Sequence, residues 1–416
     1  MTFAQTETEC VPIYSALQLE HQLTTSLHLK TANLEKSQIN VFGYAHVGYT
    51  LDVHGACYFS IKRSLFSAHE LSHIACVCKK WKRLVDSVHF GYQTLVLSDE
   101  KCNQHRIPQR SERPERVTTI LRRLGKCFPS VQIVDSVIPA SRAQVERFHT
   151  KMYINMLYQF HRKINASRQA IPVNTDFRYV TMDEDTVMMD GTMDACLAAA
   201  GAVCQAVDSV MNPLSSVRNA FCVVRPPGHH AEANAAMGFC FLNNVGIGAF
   251  HALDKYQLQR VLIIDFDVHH GNGIENRMKV EKRTLYISIH QHPLFPFTGT
   301  QSTPQCVNVT LPKNTNSYQY RKRILQSVVP QIQSFEPDLI LLASGFDAHK
   351  NDPLAQICLQ SQDYYWLTNQ FTELAWQYCH GRIVSVLEGG YHLPSLADSS
   401  EEHVRALIHG SYPFLS

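Results

Sequence analysis

Short apolar runs alternate with longer amphipathic segments over most of the chain. The apolar runs predict β-strands at residues 94–97, 221–224, 260–264, 284–289, 338–343 and 382–387. Segments with one apolar face predict helices at residues 115–124, 192–211, 243–254, 318–334, 362–380 and 401–409. This alternation predicts an α/β fold, a single large domain with a mostly parallel central sheet and helices on both faces.

Residues 1–92 lack this rhythm and are expected to form an N-terminal extension of unknown role beside a domain at 93–416. One helix is predicted there, over residues 69–85, because apolar residues share one face. Its segment 71–84 resembles the second half of an F-box, while a helix packed on the larger domain is the favoured interpretation. Residues 160–183 show little periodicity and are expected to form a loop.

Four of the predicted strands run into glycine or proline and then into titratable residues. The four segments that follow these strands are RPPGHHA at 225–231, DFDVHHGN at 265–272, SGFDA at 344–348 and EGGY at 388–391. The carboxyl ends of parallel strands lie along one edge of a sheet, where α/β proteins place their sites. We therefore expect the titratable side chains to meet there, namely His229, His230, Asp265, Asp267, His269, Asp347 and Tyr391.

Three of these residues form a candidate metal site. Asp267 and His269 are alternate residues of an extended segment, so both side chains point the same way, and Asp347 supplies a third ligand. Three oxygen and nitrogen ligands leave a fourth position open, which is typical of catalytic zinc. The sequence therefore predicts one catalytic Zn²⁺.

The pair His229 and His230 suits hydrolysis of an amide, which needs one proton taken from water and another given to the leaving amine. Each imidazole needs a partner that fixes its tautomer, and Asp265 and Asn272 are the natural candidates. Tyr391 follows two glycines at a strand end, where a phenol can donate a hydrogen bond to a developing oxyanion.

Composition excludes several classes of protein. The chain carries 38 basic and 36 acidic residues, so nothing demands nucleic acid as a partner. No run of apolar residues approaches the roughly 18–20 residues of a membrane span, and the N-terminus lacks the pattern of a signal peptide. The 13 cysteines are odd in number and lack framework spacing, which favours a reducing compartment. We expect a soluble protein of the nucleus or cytoplasm or both.

From about residue 95 to 410 the chain resembles the zinc-dependent histone deacetylases, with class II-like motifs and the fold that they share with arginase. The resemblance rests on RPPGHHA at 225–231, GFCFLNNV at 238–245, IDFDVHHGNG at 264–273, LYISIH at 285–290, SGFDAHKNDPLA at 344–355 and LEGGY at 387–391. Upstream, residues 102–105 and 113–117 resemble the family's opening loop and helix.

The resemblance implies a role for each catalytic residue. His230 is implied as the main general base and acid, oriented by Asn272, while His229 with Asp265 tunes the electrostatics. Asn272 in place of an aspartate is the class II-like choice, and Tyr391 in place of a histidine is typical of catalytically competent members.

The resemblance also implies an acyl-lysine tunnel and a potassium ion. The tunnel includes Gly238 and Phe239, with Phe295 on the opposite wall. The family's wall loop usually reads Phe-Phe-Pro-Gly, whereas residues 294–299 read LFPFTG. The sequence therefore leaves both Phe295 and Phe297 as candidates for the tunnel wall. K⁺ is implied at the carbonyls of Asp265, Asp267 and His269, with Ser288.

The expected activity is zinc-dependent hydrolysis of N6-acetyl-lysine in histones or other proteins, which releases acetate. An acetylpolyamine or other small-molecule amidohydrolase is the alternative, because the same machinery serves it. A binuclear manganese site lacks a bridging carboxylate at Gly271, and an inactive acyl-lysine binder would have lost a ligand or the tyrosine. An acetylated protein is the expected partner, and the N-terminal extension is a candidate for joining a multiprotein complex.

Overall fold

The computed structural model describes residues 38–42, 45–51, 57–61, 93–107, 111–169 and 179–410. The chain divides into two compact units, Met1–Gly91 with Tyr412–Ser416 and Tyr92–Ser411. In the first unit, the described residues form an antiparallel sheet of β1 (Gln38–Phe42), β2 (Ala45–Leu51) and β3 (Cys57–Ile61), in that order. The sequence pattern missed these short strands, and the helix predicted at 69–85 lies outside the described residues.

The second unit is built on an eight-stranded sheet in which every pairing is parallel. The strands of this sheet are β4 (Gln93–Leu97), β5 (Gln132–Val134), β8 (Val217–Cys222), β9 (Val261–Asp265), β10 (Thr284–Gln291), β11 (Cys306–Leu311), β12 (Leu339–Ser344) and β13 (Ile383–Leu387). Strands β6 (Tyr179–Thr181) and β7 (Val187–Met189) form a separate hairpin. The order across the sheet is β11-β10-β9-β12-β13-β8-β4-β5. The predicted parallel α/β architecture is confirmed.

Helices cover both faces of this sheet. They are α1 (Glu115–Cys127), α2 (Arg142–Phe148), α3 (Lys151–Gln169), α4 (Thr192–Met211), α5 (Asn244–Lys255), α6 (Asn272–Met278), α7 (Ser317–Arg323), α8 (Val329–Phe335), α9 (Ser361–Cys379) and α10 (Leu393–Gly410). Alternate strand residues enter opposite cores: Ile263 packs on the face with α4 and α5, and Ile264 on the face with α9 and α10. Burial on both faces explains why the central strands β9 and β12 are almost continuously apolar.

Helix α4 is long and apolar enough to cross a membrane by length and composition alone, but 72% of it is buried inside the protein. It packs against α5 and β8, so core packing accounts for its hydrophobicity. By length and composition α4 does reach the size of a membrane span, which the sequence analysis did not predict.

Three predicted elements differ from the structure, and one is the helix predicted at 401–409, which begins eight residues earlier, at Leu393. The loop predicted at 160–183 is wrong in its first part, because α3 continues to Gln169. Among residues 158–166, for which the structure describes burial, only Ile164 is buried, so the periodicity is weak. The helix predicted at 318–334 is interrupted by a π-helical turn, Ile324–Val328, and Pro330 in the following turn cannot donate a backbone hydrogen bond.

Candidate active site

Four adjacent strands carry the segments that the sequence singled out. Strands β9, β12, β13 and β8 are consecutive in the sheet, and their carboxyl ends lead into residues 265–272, 344–348, 388–391 and 225–231, respectively. The seven predicted side chains are all buried there, with at most 8% exposure. The topology therefore brings together residues that are up to 162 positions apart, from His229 to Tyr391.

The candidate metal ligands face one another closely. One ligand atom from each of Asp267, His269 and Asp347 lies within 4.8 Å of the others. Nδ1 of His269 is 3.1 Å from Oδ1 of Asp267 and 3.2 Å from Oδ2 of Asp347. Burial disfavours the imidazolium, yet the two carboxylates outweigh burial and raise the pKa of His269 to about 10. The cluster favours a positive charge at its centre.

Two further observations fit a cation held by these ligands. Oδ2 of Asp347 is buried and receives no donor with hydrogen-bond geometry. A Cβ on Gly389 would lie only 2.0 Å from that oxygen, and a Cβ on Gly345 would lie 2.1 Å from Oδ2 of Asp267. A side chain at either position would collide with a ligand carboxylate, so glycine lets both carboxylates keep their places. Oxygen and imidazole donors suit zinc, so the residues fit the predicted ion.

The histidine pair has two different partners. Nδ1 of His229 lies 3.1 Å from Oδ2 of Asp265, which also accepts a hydrogen bond from the Tyr286 hydroxyl at 2.9 Å. Nδ1 of His230 lies 2.9 Å from Oδ1 of Asn272. The structure therefore pairs each imidazole with the residue that the sequence analysis named.

Tyr391 is held by partners that the sequence analysis did not name. Its backbone N–H donates to Asp352 at 2.7 Å, and Nε of Arg116 donates to the carbonyl of Gly390 at 2.7 Å. The Arg116 guanidinium also lies 4.9 Å from the centre of the Tyr391 ring. Burial is the largest effect on the phenol and keeps its pKa well above the usual value, so the hydroxyl stays a donor.

A buried network of ion pairs supports the Tyr391 loop through Arg116. Glu112 accepts hydrogen bonds from Arg225 at 2.8 and 2.5 Å and lies 3.4 Å from Arg116. All three side chains have 0% exposure. Burial opposes the carboxylate, but Arg225 and Arg116 outweigh burial and lower the pKa of Glu112 to about 2. No local motif reveals this pairing, because Glu112 and Arg225 are 113 residues apart.

The predicted tunnel residues surround the same site. The Phe295 ring centre lies 5.1 Å from that of His230, and the Phe239 ring lies 5.9 Å from Tyr391. Phe297 is 70% exposed, so the geometry favours Phe295 as the wall. Gly238 has φ +57°, and a Cβ there would lie 2.5 Å from the His230 ring. Only glycine fits between these rings.

The hairpin of β6 and β7 supports the Phe239 wall. The turn residue Asp183 accepts a hydrogen bond from the N–H of Gly238 at 3.2 Å, and Oγ1 of Thr186 accepts one from the N–H of Phe239 at 2.9 Å. The β6–β7 hairpin therefore holds the backbone of the predicted tunnel wall. Its turn reads Asp183-Glu184-Asp185, of which Asp183 contacts Gly238.

The residues implied for potassium are also adjacent. Ser288 pairs with Asp265 across β10 and β9, and Asp265, Asp267, His269 and Ser288 are all buried. Oγ of Ser288 lies 2.9 Å from Nδ1 of His290. Their proximity is compatible with a cation site, and K⁺ stays a prediction.

Models of two domain families match this chain. A model of the histone deacetylase domain matches residues 108–407, and a model of the F-box domain matches residues 64–93. The second match contains the 71–84 segment, so it supports the F-box resemblance over the interpretation favoured from sequence. Packing of that segment on the larger domain stays untested.

Comparison with known proteins agrees with the first match. Type-2 histone deacetylase 2 of Dictyostelium discoideum is 32% identical over 356 residues, which cover 76% of this chain and 21% of that protein. Polyamine deacetylase HDAC10 of Homo sapiens is 34% identical over 320 residues, which cover 73% of this chain and 46% of that protein. The crystal structure of the HDA15 HD domain superposes with a TM-score of 0.67 at 28% identity, and the match covers 77% of this chain and 91% of that one. The chain thus spans less than half the length of the two relatives.

Proposed function

The chain belongs to the histone deacetylase family, and from that premise we propose that it hydrolyses N6-acetyl-lysine in histones or other proteins with the help of zinc. The family match confirms the predicted relationship and supports a hydrolase of the deacetylase type. The single observation that carries the finer proposal is the buried arrangement of a three-ligand set, two partnered imidazoles and a phenol at one strand edge.

A zinc ion held by Asp267, His269 and Asp347 would lower the pKa of a water molecule and polarise the acetyl carbonyl. His230 lies beside these ligands, its ring 6.0 Å from that of His269. With Nδ1–H donated to Asn272, Nε2 of His230 accepts the proton from water and later returns it to the lysine amine. Tyr391 donates its hydroxyl proton in a hydrogen bond to the acyl oxygen as negative charge develops there.

The aromatic side chains of the predicted tunnel wall are evidence for an acyl-lysine side chain, with its flat amide, as the ligand. Phe239 and Phe295 flank Gly238, whose N–H donates to the Asp183 carboxylate. A carboxylate beside Gly238 favours cationic substrates. Lysine-rich peptides and acetylpolyamines both meet that description, so the polyamine alternative is retained, and the likeness to a polyamine deacetylase supports it.

Substrate class is tested by measuring kcat/KM for acetyl-lysine peptides, including histone-tail and tubulin sequences, and for N-acetylated polyamines under matched conditions. We expect higher values for the peptides. A consistent preference for acetylpolyamines would reject the protein-deacetylase proposal and support the alternative.

Zinc dependence is tested by metal analysis. We expect one zinc per chain, and loss of both zinc and activity in Asp267→Ala, because two ligands hold zinc poorly. Exposed Asp398→Asn serves as the charge-matched control and should retain both. Two equivalents of manganese at this site would contradict the single-zinc proposal.

Replacing K⁺ by choline at constant ionic strength tests the potassium proposal. We expect the protein to have lower thermal stability in choline.

We also propose that residues 64–93 join the enzyme to a multiprotein assembly, as expected of an F-box in an SCF complex. The deacetylase would then act on acetylated proteins in the nucleus, the cytoplasm or both. Co-purification of SCF components with the full chain, and their loss with Leu71→Asp, would support this partner. Equal recovery of SCF components with the parent chain and with the Leu71→Asp variant would argue against this partner.

A further inference from the structure

A third residue completes the hydrogen-bond chain that begins at His230. Oδ1 of Asn272 lies 2.9 Å from Nδ1 of His230, while Nδ2 of Asn272 donates to Oε1 of Glu232 at 2.9 Å. The same Nδ2 lies 3.2 Å from Sδ of Met237. The same nitrogen also lies 3.5 Å from the carbonyl oxygen of His230, so it faces three acceptors, and this decides which way round the amide lies. Its oxygen therefore faces the His230 ring.

The segment that carries Glu232 is held on both sides. The N–H of Glu232 donates to the carbonyl of Ala235 at 2.9 Å, and its own carbonyl lies 2.9 Å from Nδ1 of His149. Nε2 of His149 accepts a hydrogen bond from the N–H of Asn243, so Nδ1 carries the proton and donates to Glu232. These two hydrogen bonds hold the backbone of Glu232 in place, so its carboxylate is directed toward Asn272.

We propose that Glu232 is a positioning residue which, through Asn272, sets the tautomer and orientation of His230. The proposal rests on the proposed role of His230 as general base. With Glu232 present, Asn272 accepts Nδ1–H and leaves Nε2 of His230 without a proton. Without Glu232, the NH₂ group of Asn272 keeps only two weaker acceptors, the Met237 sulfur at 3.2 Å and the His230 carbonyl at 3.5 Å, so the amide can rotate by half a turn and offer that group to Nδ1. That arrangement favours the Nε2–H tautomer, which cannot take a proton from water.

The orientation is tested with Glu232→Leu and Glu232→Gln. Glutamine keeps an acceptor for Asn272, so we expect kinetics within about twofold of the parent. Leucine removes the acceptor, and kcat should fall about 10–100-fold, as for other orienting partners, with KM little changed. Nitrogen-15 spectra of histidine-labelled protein should show the Nδ1–H form of His230 in the parent and a mixture in the leucine variant.

A double-mutant cycle at Asn272 and Glu232 provides the sharper test, since all its variants keep polar side chains. Asn272→Asp places a second carboxylate against Glu232, and kcat should fall. Adding Glu232→Gln lets the glutamine amide donate to the new aspartate, and kcat should rise by at least about threefold in that background. Glu232→Gln therefore has almost no effect with Asn272 and a beneficial effect with aspartate. The same effect in both backgrounds would overturn the proposal.

Glu281→Gln is the matched control, because Glu281 is also half-buried but pairs with Arg283 away from the site. It should leave kinetics and spectra unchanged. Failure of the parent protein to hydrolyse any acetyl-lysine peptide would defeat the proposed function, while the spectra still test Glu232. An unchanged His230 tautomer in Glu232→Leu would defeat this inference even in an active enzyme.

Discussion

His229 and His230 are neighbours in sequence with ring centres 3.9 Å apart, yet their surroundings differ. For His229, burial favours the neutral ring, but Asp267 and Asp265 outweigh burial and raise its pKa to about 10. For His230, burial again comes first, and the charges of His229 and His269 add to it and lower the pKa well below the usual value. Two carboxylates offset burial at His229, whereas at His230 the hydrogen bond to Asn272 raises the pKa too little to offset burial and the neighbouring histidines.

The same rule separates two buried glutamates. Glu112 faces Arg225 and Arg116, and its pKa is lowered to about 2. Glu388 accepts the N–H groups of Gly228 and His229, but burial outweighs these contacts and raises its pKa to about 7. A buried group keeps its charge where opposite charges outweigh burial, as at Glu112 and His229, and favours its neutral form where burial outweighs the partners, as at Glu388 and His230.

The largest expected effect separates the two imidazoles. His230→Ala should lower kcat by about 10³-fold or more, because it removes the proton-transfer group, while zinc and a hydroxamate inhibitor still bind. His229→Ala should cost less, about 10–100-fold, since it changes only the electrostatics. Steady-state kinetics with metal analysis measure both. Near-normal turnover in His230→Ala would break the comparison and shift the base to His229.

Tyr391 tests the side of the site that faces the acyl oxygen. Tyr391→Phe keeps the ring that packs on Phe239 and removes one hydroxyl donor, so kcat should fall about 10²–10³-fold with little change in KM. Tyr391→His should also impair turnover, because its shorter side chain does not reach the carbonyl. If Phe is harmless and only His is harmful, Tyr391 acts through packing alone.

Asp265→Asn sharpens the comparison by giving His229 an amide partner like that of His230. We expect kcat to fall by about tenfold, because the imidazolium of His229 loses its carboxylate. Tyr286→Phe is the control, since it removes a different hydrogen bond to the Asp265 carboxylate without changing the charge of that group. An effect of Asp265→Asn no larger than that of the control would show that the charge of the partner is unimportant there.

The smallest effect on turnover is expected from Glu112→Gln, whose main effect is on stability. The folded-state pKa of about 2 lies below the ordinary value of 4.5, so the carboxylate stabilises the fold above pH 4.5, and this contribution is lost as the pH falls toward 2. The shift corresponds to about 3 kcal/mol at pH 7. Free energies of unfolding, measured from pH 7 down to pH 3, should differ most at neutral pH and converge in acid. A constant difference would mean that Glu112 acts through shape alone.

Local pattern was sufficient for most of the elements and for the ligand positions. Strand β9 is a continuous apolar run, and Asp267 and His269 follow it with the alternation of an extended chain, so both are visible within one segment. The long apolar face of α4 similarly predicted its bounds without error. Periodicity and spacing are properties of neighbouring residues, which is why sequence alone determined the parallel α/β class, the motifs and the candidate site.

Contacts between distant segments were decided only by the tertiary structure. The order β9-β12-β13-β8 brings the four segments together, and nothing in any one segment specifies its neighbours. Arg116 reaches the Gly390 carbonyl across 274 residues, and Glu232 reaches Asn272 across 40. The choice of Phe295 over Phe297 likewise depended on which ring faces His230. Hydrophobic periodicity records whether a residue is buried, but hydrogen bonds and charges act between whichever side chains the packed sheet brings within a few ångströms.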